Sequence, residues 1–213
     1  MLILKAIKEP FDKYYKKYEK WFNRNENVYK SELKAVKNFI PKNKKGLEIG
    51  VGSGKFAGPL GIKAGIEPSE KMRKIAKQRG IEVYDGVGED LPFAKASFDF
   101  VLMVTTICFL NDVEKTLKEI KRVLKDKSPV IIGFVDKKSK LGEEYLEKKQ
   151  DNVFYKEATF YSTTQVIELL KKYNFSDIEV VQTIFGKLSE IKTIQSFQKG
   201  YGKGGFVVIK ANT

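Results

Sequence analysis

The segment LEIGVGSGKF at 47–56 places Gly50, Gly52 and Gly54 at alternate positions behind a short apolar run. Glycines so placed permit positive φ and let a ligand approach the main chain with no Cβ in the way. The spacing is GxGxG; the dinucleotide pattern GxGxxG would need glycine where Lys55 stands. Glu67 closes the next apolar run, 17 residues beyond Gly50, where a carboxylate can accept both hydroxyls of a ribose. A glycine loop alone could be a tight structural turn, but the loop with the carboxylate points to a nucleoside site. Other chemistries are excluded by what the chain lacks. It has no histidine, which removes Ser-His-Asp and Cys-His nucleophiles and HExxH zinc sites. Cys108 is the single cysteine, so neither an internal disulfide nor a cysteine-rich metal site can form, and no metal is expected.

The elements that must position these residues alternate along the chain. Gly46–Gly50, Lys63–Glu67, Ile81–Tyr84, Phe98–Val104 and Val130–Val135 read as strands. The near-continuous apolar character of FDFVLMV and VIIGFV suits strands covered on both faces of a parallel sheet. Ser69–Arg79 and Asp112–Leu124 carry helical periodicity between them, the pattern of a doubly wound α/β fold. Ser162 with Gln165 forms a capping box that opens a helix reaching about Tyr173. Residues 178–185 and 205–210 then read as two strands which, lacking a long crossover helix, should lie antiparallel. Ahead of all this, Phe11, Tyr14, Tyr15, Tyr18, Trp21 and Phe22 recur at helical steps over residues 10–23. A second helix is predicted to start at Ser31, as its cap, and to stop before Pro41. At 213 residues, with no internal repeat and no linker-like stretch, the chain is expected to be a single domain 1–213.

On these residues the chain resembles the class I S-adenosylmethionine-dependent methyltransferases, and within them the small-molecule branch that includes quinone-biosynthesis enzymes. LEIGVGSG is similar to the family's cofactor loop and GIEPSEKM (65–72) to its ribose-binding strand end. GVGEDLPFAKASFDFVLMVTTICFL (86–110) is similar to its adenine loop and fourth strand, and LKEIKRVLK (117–125) to the helix that follows. The similarity covers roughly 45–135 and returns at 158–182. It implies a Rossmann-like seven-stranded sheet in the order 3-2-1-4-5-7-6 with strand 7 antiparallel, an N-terminal helical lid (1–42) and an α/β core (43–213). It also implies S-adenosylmethionine as methyl donor and S-adenosylhomocysteine as product. Gly50, Gly52 and Gly54 would pass close to the methionine and ribose, Glu48 would steady the loop, and Glu67 would hold the ribose diol. Pro68 and Met72 would pack near adenine, Gly88 and Glu89 would meet its edge, and Thr105 would end the fourth strand beside the methionine group. Three departures stand out. Val87 occupies a position where the family often has Asp, Asp126–Pro129 replaces Pro-Gly-Gly, and the helix after the glycine loop, with Pro59 in it, is short.

Methyl transfer from a sulfonium is an in-line displacement, so nucleophile, methyl carbon and sulfur must be held collinear and dry. The aromatic helix is the candidate lid, with Tyr14, Tyr18 or Trp21 against the positive sulfur. Without histidine, the weak candidates for a general base are Tyr14, Tyr18 and Tyr201, with Glu19 and Asp136 beside them. Cys108 reads as a packed small hydrophobe. The fourth strand ends in VTTICF, which lacks the Asn-Pro-Pro-aromatic motif of nucleobase and glutamine-amide methylation. Loops 137–161 and 186–204 should overhang the ligand side and choose the acceptor.

The net charge is +13, and residues 1–45 hold 13 basic against 5 acidic side chains. Only four of the 40 basic residues are arginine, which weakens a nucleic-acid reading. The branch resemblance implies a small-molecule acceptor. An RNA or protein methyltransferase using the basic N-terminal face, or a non-catalytic S-adenosylmethionine-binding regulator, are the alternatives. No apolar run reaches the 18 to 20 residues of a membrane helix, and the N-terminus is a poor signal peptide, so the expected location is cytoplasmic.

Overall fold

The computed structural model describes residues 6–213. Its first parallel strands are β1 (Gly46–Ile49), β2 (Ala64–Ile66), β3 (Glu82–Tyr84), β4 (Phe100–Val104) and β5 (Pro129–Val135). Both faces of these strands are covered, and their residues alternate between two separate cores. Leu47, Val101, Met103 and Ile132 face one side, where Leu117 and Ile120 of α6 (Val113–Val123) and Val166 and Leu170 of α8 (Thr163–Lys172) pack on them. Phe100, Leu102, Val104 and Ile131 face the other, against Val28, Ala35 and Val36 of α3 (Glu26–Lys37) and Ala76 of α5 (Glu70–Gln78). The helix starts follow the sequence chemistry. The side chains of Ser69, Asp112 and Ser162 accept from the first-turn amides of α5, α6 and α8, and Ser162 with Gln165 closes a capping box.

The C-terminal strands β6 (Ser176–Thr183) and β8 (Phe206–Asn212) are antiparallel, and β8 inserts between β5 and β6. The sheet runs β3-β2-β1-β4-β5-β8-β6-β7, eight strands against the seven expected. The added one is the two-residue edge strand β7 (Gln198–Lys199), pairing with β6 through Val181 and Gln182; it lies inside the 186–204 connection. The inner order is the one the family resemblance implies. Ahead of the sheet, the aromatic helix is broken at Tyr14 into α1 (Glu9–Lys13) and α2 (Tyr15–Arg24). The second helix starts at Glu26 rather than Ser31. Ser31 lies inside it, donating to the Asn27 carbonyl at 2.6 Å and accepting from the Gln195 amide at 2.8 Å, so its hydroxyl joins the N-terminal helices to the C-terminal loop. The helix after the glycine loop is a single turn, α4 (Ala57–Leu60). Loop 137–161 contains a helix, α7 (Lys140–Glu147), capped by Ser139. Among the described residues no helix is long and apolar enough to cross a membrane.

Candidate active site

At the C-terminal ends of β1, β2 and β4 a cavity of about 330 Å³ opens beneath α1 and α2, the place where open α/β sheets bind ligands. Gly50, Gly52, Glu67, Pro68, Gly88, Glu89 and Thr105 all line it. The turn after β1 carries φ of +65° at Gly50 and +53° at Gly52. A Cβ on Gly52 would meet only the Tyr18 side chain, its hydroxyl 3.2 Å away, so the peptide lies bare toward the cavity. Gly54 serves another purpose: its missing Cβ makes room for Ile81 and Ala76, and it does not line the cavity. Thr105 ends β4 at φ +52°, a costly conformation for a β-branched residue, held by its amide donating to the Gly133 carbonyl at 2.7 Å.

Glu67 is buried, and its two oxygens accept from the Gly52 and Ser69 amides, each at 2.9 Å. Each oxygen retains a lone pair for a further donor. Burial pushes its pKa up to about 7, against the downward pull of those amides and of Arg73. Glu48 stands behind the turn rather than in the cavity. Burial raises its pKa well above the usual range, partly offset by the Ala57 amide, and its Oε2 has no hydrogen-bond partner. Glu89 reaches the cavity wall, but its Oε1 accepts from the Asn111 and Asp112 amides at 2.8 and 3.2 Å and so fastens the start of α6. Met72 is fully buried beneath the site, with its amide on the Ser69 hydroxyl at 3.2 Å, and does not line the cavity.

Phe11, Tyr18, Trp21 and Phe22 form the roof. Two polar ties hold it down. Asp12 accepts from the Ser69 hydroxyl at 2.7 Å and the Lys71 amide at 3.2 Å. Glu19 pairs with Arg79 at 2.6 Å and Lys55 at 3.3 Å and accepts from the Ser53 hydroxyl. Tyr18 is half-buried, and desolvation, with Glu67, Glu48 and Glu19 nearby, drives its pKa far up, so it remains a neutral phenol that can donate or accept a hydrogen bond. Tyr14 sits at the α1–α2 break, edge-on to Phe154, and does not line the cavity; Tyr201 lies on an outer loop, 48% exposed. Glu19 is engaged in its ion pairs, and Asp136 accepts from Thr163 and Lys138. Burial lifts the Cys108 thiol to about 12, which keeps it unreactive. Residues that sequence reasoning missed complete the cavity: Glu32 from α3, Phe109, and Tyr145, Phe154 and Tyr155 from α7 and the turns after it.

Sheet order, bare turn and strand-end carboxylate together define a nucleoside-binding enzyme of the Rossmann-like class I methyltransferase type. Comparison with known proteins agrees with that class. The methyltransferase-domain family model matches residues 47–132. A crystal structure of a SAM-dependent methyltransferase from Thermotoga maritima, described as a possible histamine N-methyltransferase, superposes with a TM-score of 0.93 at 48% identity, over 95% of this chain and 98% of that one. An uncharacterized protein of Methanocaldococcus jannaschii is 49% identical over 201 residues, 94% of this chain and 97% of its own. The demethylmenaquinone methyltransferase of Staphylococcus aureus is 28% identical over 146 residues, 60% of this chain and 61% of its own. The chain belongs to the S-adenosylmethionine-dependent methyltransferase family.

Proposed function

We propose that this enzyme methylates a small-molecule acceptor, with its adenosyl donor held by Gly50, Gly52, Glu67, Pro68 and the backbone at Gly88. The residues fit such a donor. The peptide at Gly52 is uncovered, and Glu67 has lone pairs left for a ribose diol. Bound there, S-adenosylmethionine supplies a methyl group on a positive sulfur and leaves as S-adenosylhomocysteine. The protein's part is to orient and to exclude water. Phe11, Tyr18, Trp21 and Phe22 close the top, and Thr105 and Phe109 shape the wall between cofactor and acceptor ends. Alignment in a closed site can lower the barrier by roughly 7 to 11 kcal/mol.

The observation that carries this reading is the roofed cavity, large enough for compact ligands and covered by the chain's own helices. Its enclosure favours a small acceptor over an RNA or protein one. The test is calorimetric titration with S-adenosylmethionine, S-adenosylhomocysteine and NAD, followed by a labelled-methyl screen across metabolites, RNA and extract protein. Histamine, named for the Thermotoga relative, is the first compound to try. Binding of the first two ligands and label in the small-molecule fraction are expected. NAD binding alone, or label confined to RNA or protein, would overturn the proposal.

A further inference from the structure

The buried stripe of α3, Val28, Ser31, Glu32, Ala35 and Val36, contains one carboxylate. Glu32 is 6% exposed, lines the cavity, and has no hydrogen-bond or ion-pair partner among the described residues. Burial alone pushes its pKa up to about 8. A buried ionised carboxylate without a partner costs several kcal/mol. Glu32 therefore lacks a structural role that would explain its place. The cavity carries Glu67 beside the glycine turn and Glu32 on α3, and Tyr145 and Tyr155 line it as well. The Glu67 end fits the adenosyl donor. The Glu32 end is walled by rings: Tyr155 is stacked on Phe109 at 6.0 Å, and Tyr145 is tilted against Tyr155 at 5.2 Å. Burial raises the pKa of both phenols.

The sign of the cavity is the reverse of the chain's. Although the chain's net charge is +13, the charged side chains that line this space among the described residues are Glu32, Glu67 and Glu89 against one basic group, the exposed Lys17. An anionic acceptor would find no cationic partner beside Glu32, whereas a cationic amine would replace cavity water as its hydrogen-bond partner and add a charge-assisted bond. A cation satisfies both the carboxylate and the ring faces.

Resting on the methyltransferase reading above, we propose that Glu32 binds the acceptor as a protonated amine, seated against Tyr145 and Tyr155, and takes its proton. One N–H proton passes to a Glu32 oxygen. The freed lone pair forms the N–C bond to the donor's methyl group as the C–S bonding pair returns to sulfur. The products are a neutral thioether and a methylated ammonium, and the proton on Glu32 leaves to solvent as product departs.

The experiment is calorimetry on the S-adenosylhomocysteine complex with methylammonium, histamine and 2-phenylethylamine, and with 2-phenylethanol as an uncharged isostere. Wild type should bind at least one amine about tenfold or more tighter than the alcohol. Glu32→Gln should lose that preference, and Glu32→Asp should recover part of it, while S-adenosylhomocysteine affinity is unchanged in both. Equal binding of amines and alcohol by wild type, or an amine preference that survives Glu32→Gln, overturns the proposal. The wild-type comparison decides the matter by itself if the variants fail to fold. Loss of S-adenosylhomocysteine binding by wild type would refute the methyltransferase reading instead, so the two failures are distinguishable.

Discussion

Replacing Glu32 by glutamine keeps the side chain's shape and removes a charge from inside the molecule, so its effect on stability should depend on pH in a defined direction. In the unfolded chain the carboxyl has its ordinary pKa of 4.5; in the fold, burial lifts it to about 8. Between those values the folded state binds the extra proton, so wild type loses stability as pH rises, and the loss is complete above about pH 8. The full difference corresponds to on the order of 5 kcal/mol, an upper bound because water entering the cavity relieves part of the burial. Glu48 and Glu67, also raised, are common to both proteins and cancel in the comparison. Urea unfolding of the ligand-free proteins at pH 5 and pH 9 measures it. Glu32→Gln should be within about 1 kcal/mol of wild type at pH 5 and more stable by on the order of several kcal/mol at pH 9. A difference that is the same at both pH values, or that favours wild type at pH 9, would refute the claim that this carboxylate is buried without a partner.

Glu67→Ala should weaken S-adenosylhomocysteine binding by about tenfold or more in calorimetry, because it removes the ribose acceptor and also frees the Gly52 and Ser69 amides it ties. In wild type that affinity should fall as pH drops below about 7, where protonation of Glu67 competes with the diol; a flat profile from pH 8 to 5.5 would count against the role. Gly50→Ala forces a side chain into a left-handed backbone and onto Thr106, and should cost about 2 kcal/mol or more in denaturant unfolding. Arg79→Met removes one arm of the Glu19 tie, and limited proteolysis should then cut near the Tyr14 break faster than in wild type, with the sheet core unaffected.

Much of the architecture is legible in local chemistry. The β4 and β5 runs are apolar on both faces because helices cover both, and Ser69, Asp112 and Ser162 announce the helices they cap. The glycine turn and Glu67 can be read for the same reason: their roles depend on backbone geometry and on strand ends, which spacing encodes. Elsewhere tertiary contacts decide. Ser31 has the right type for a cap, but its hydroxyl bonds to Asn27 and Gln195, a partner 164 residues away that local sequence cannot reveal. The edge strand β7 exists only because β6 offers Val181 and Gln182 to pair with. Tyr18 was legible as part of an aromatic stripe, whereas its raised pKa comes from burial, and then from carboxylates brought together by folding. Glu32 is the instructive omission. Val28, Ser31, Glu32, Ala35 and Val36 fall at helical spacing, so a longer helix reading would have placed an acid on the buried face.

The ties between the first helices and the far end of the chain have a consequence for assembly in time. Asn27 donates to the Lys192 carbonyl at 2.7 Å, and Ser31 holds the Gln195 amide, so the N-terminal hairpin gains these partners only after more than 160 further residues have been made. Its aromatic stripe finds its ties earlier, because Asp12 and Glu19 bond to Ser69, Lys71 and Arg79, which follow soon after it in the chain. The far wall of the cavity is completed later, once Tyr145, Phe154 and Tyr155 have been made. A nascent chain stopped short of residue 192 would have the first five strands and the roof ties, and lack the bonds that fasten α3 to the C-terminal loop.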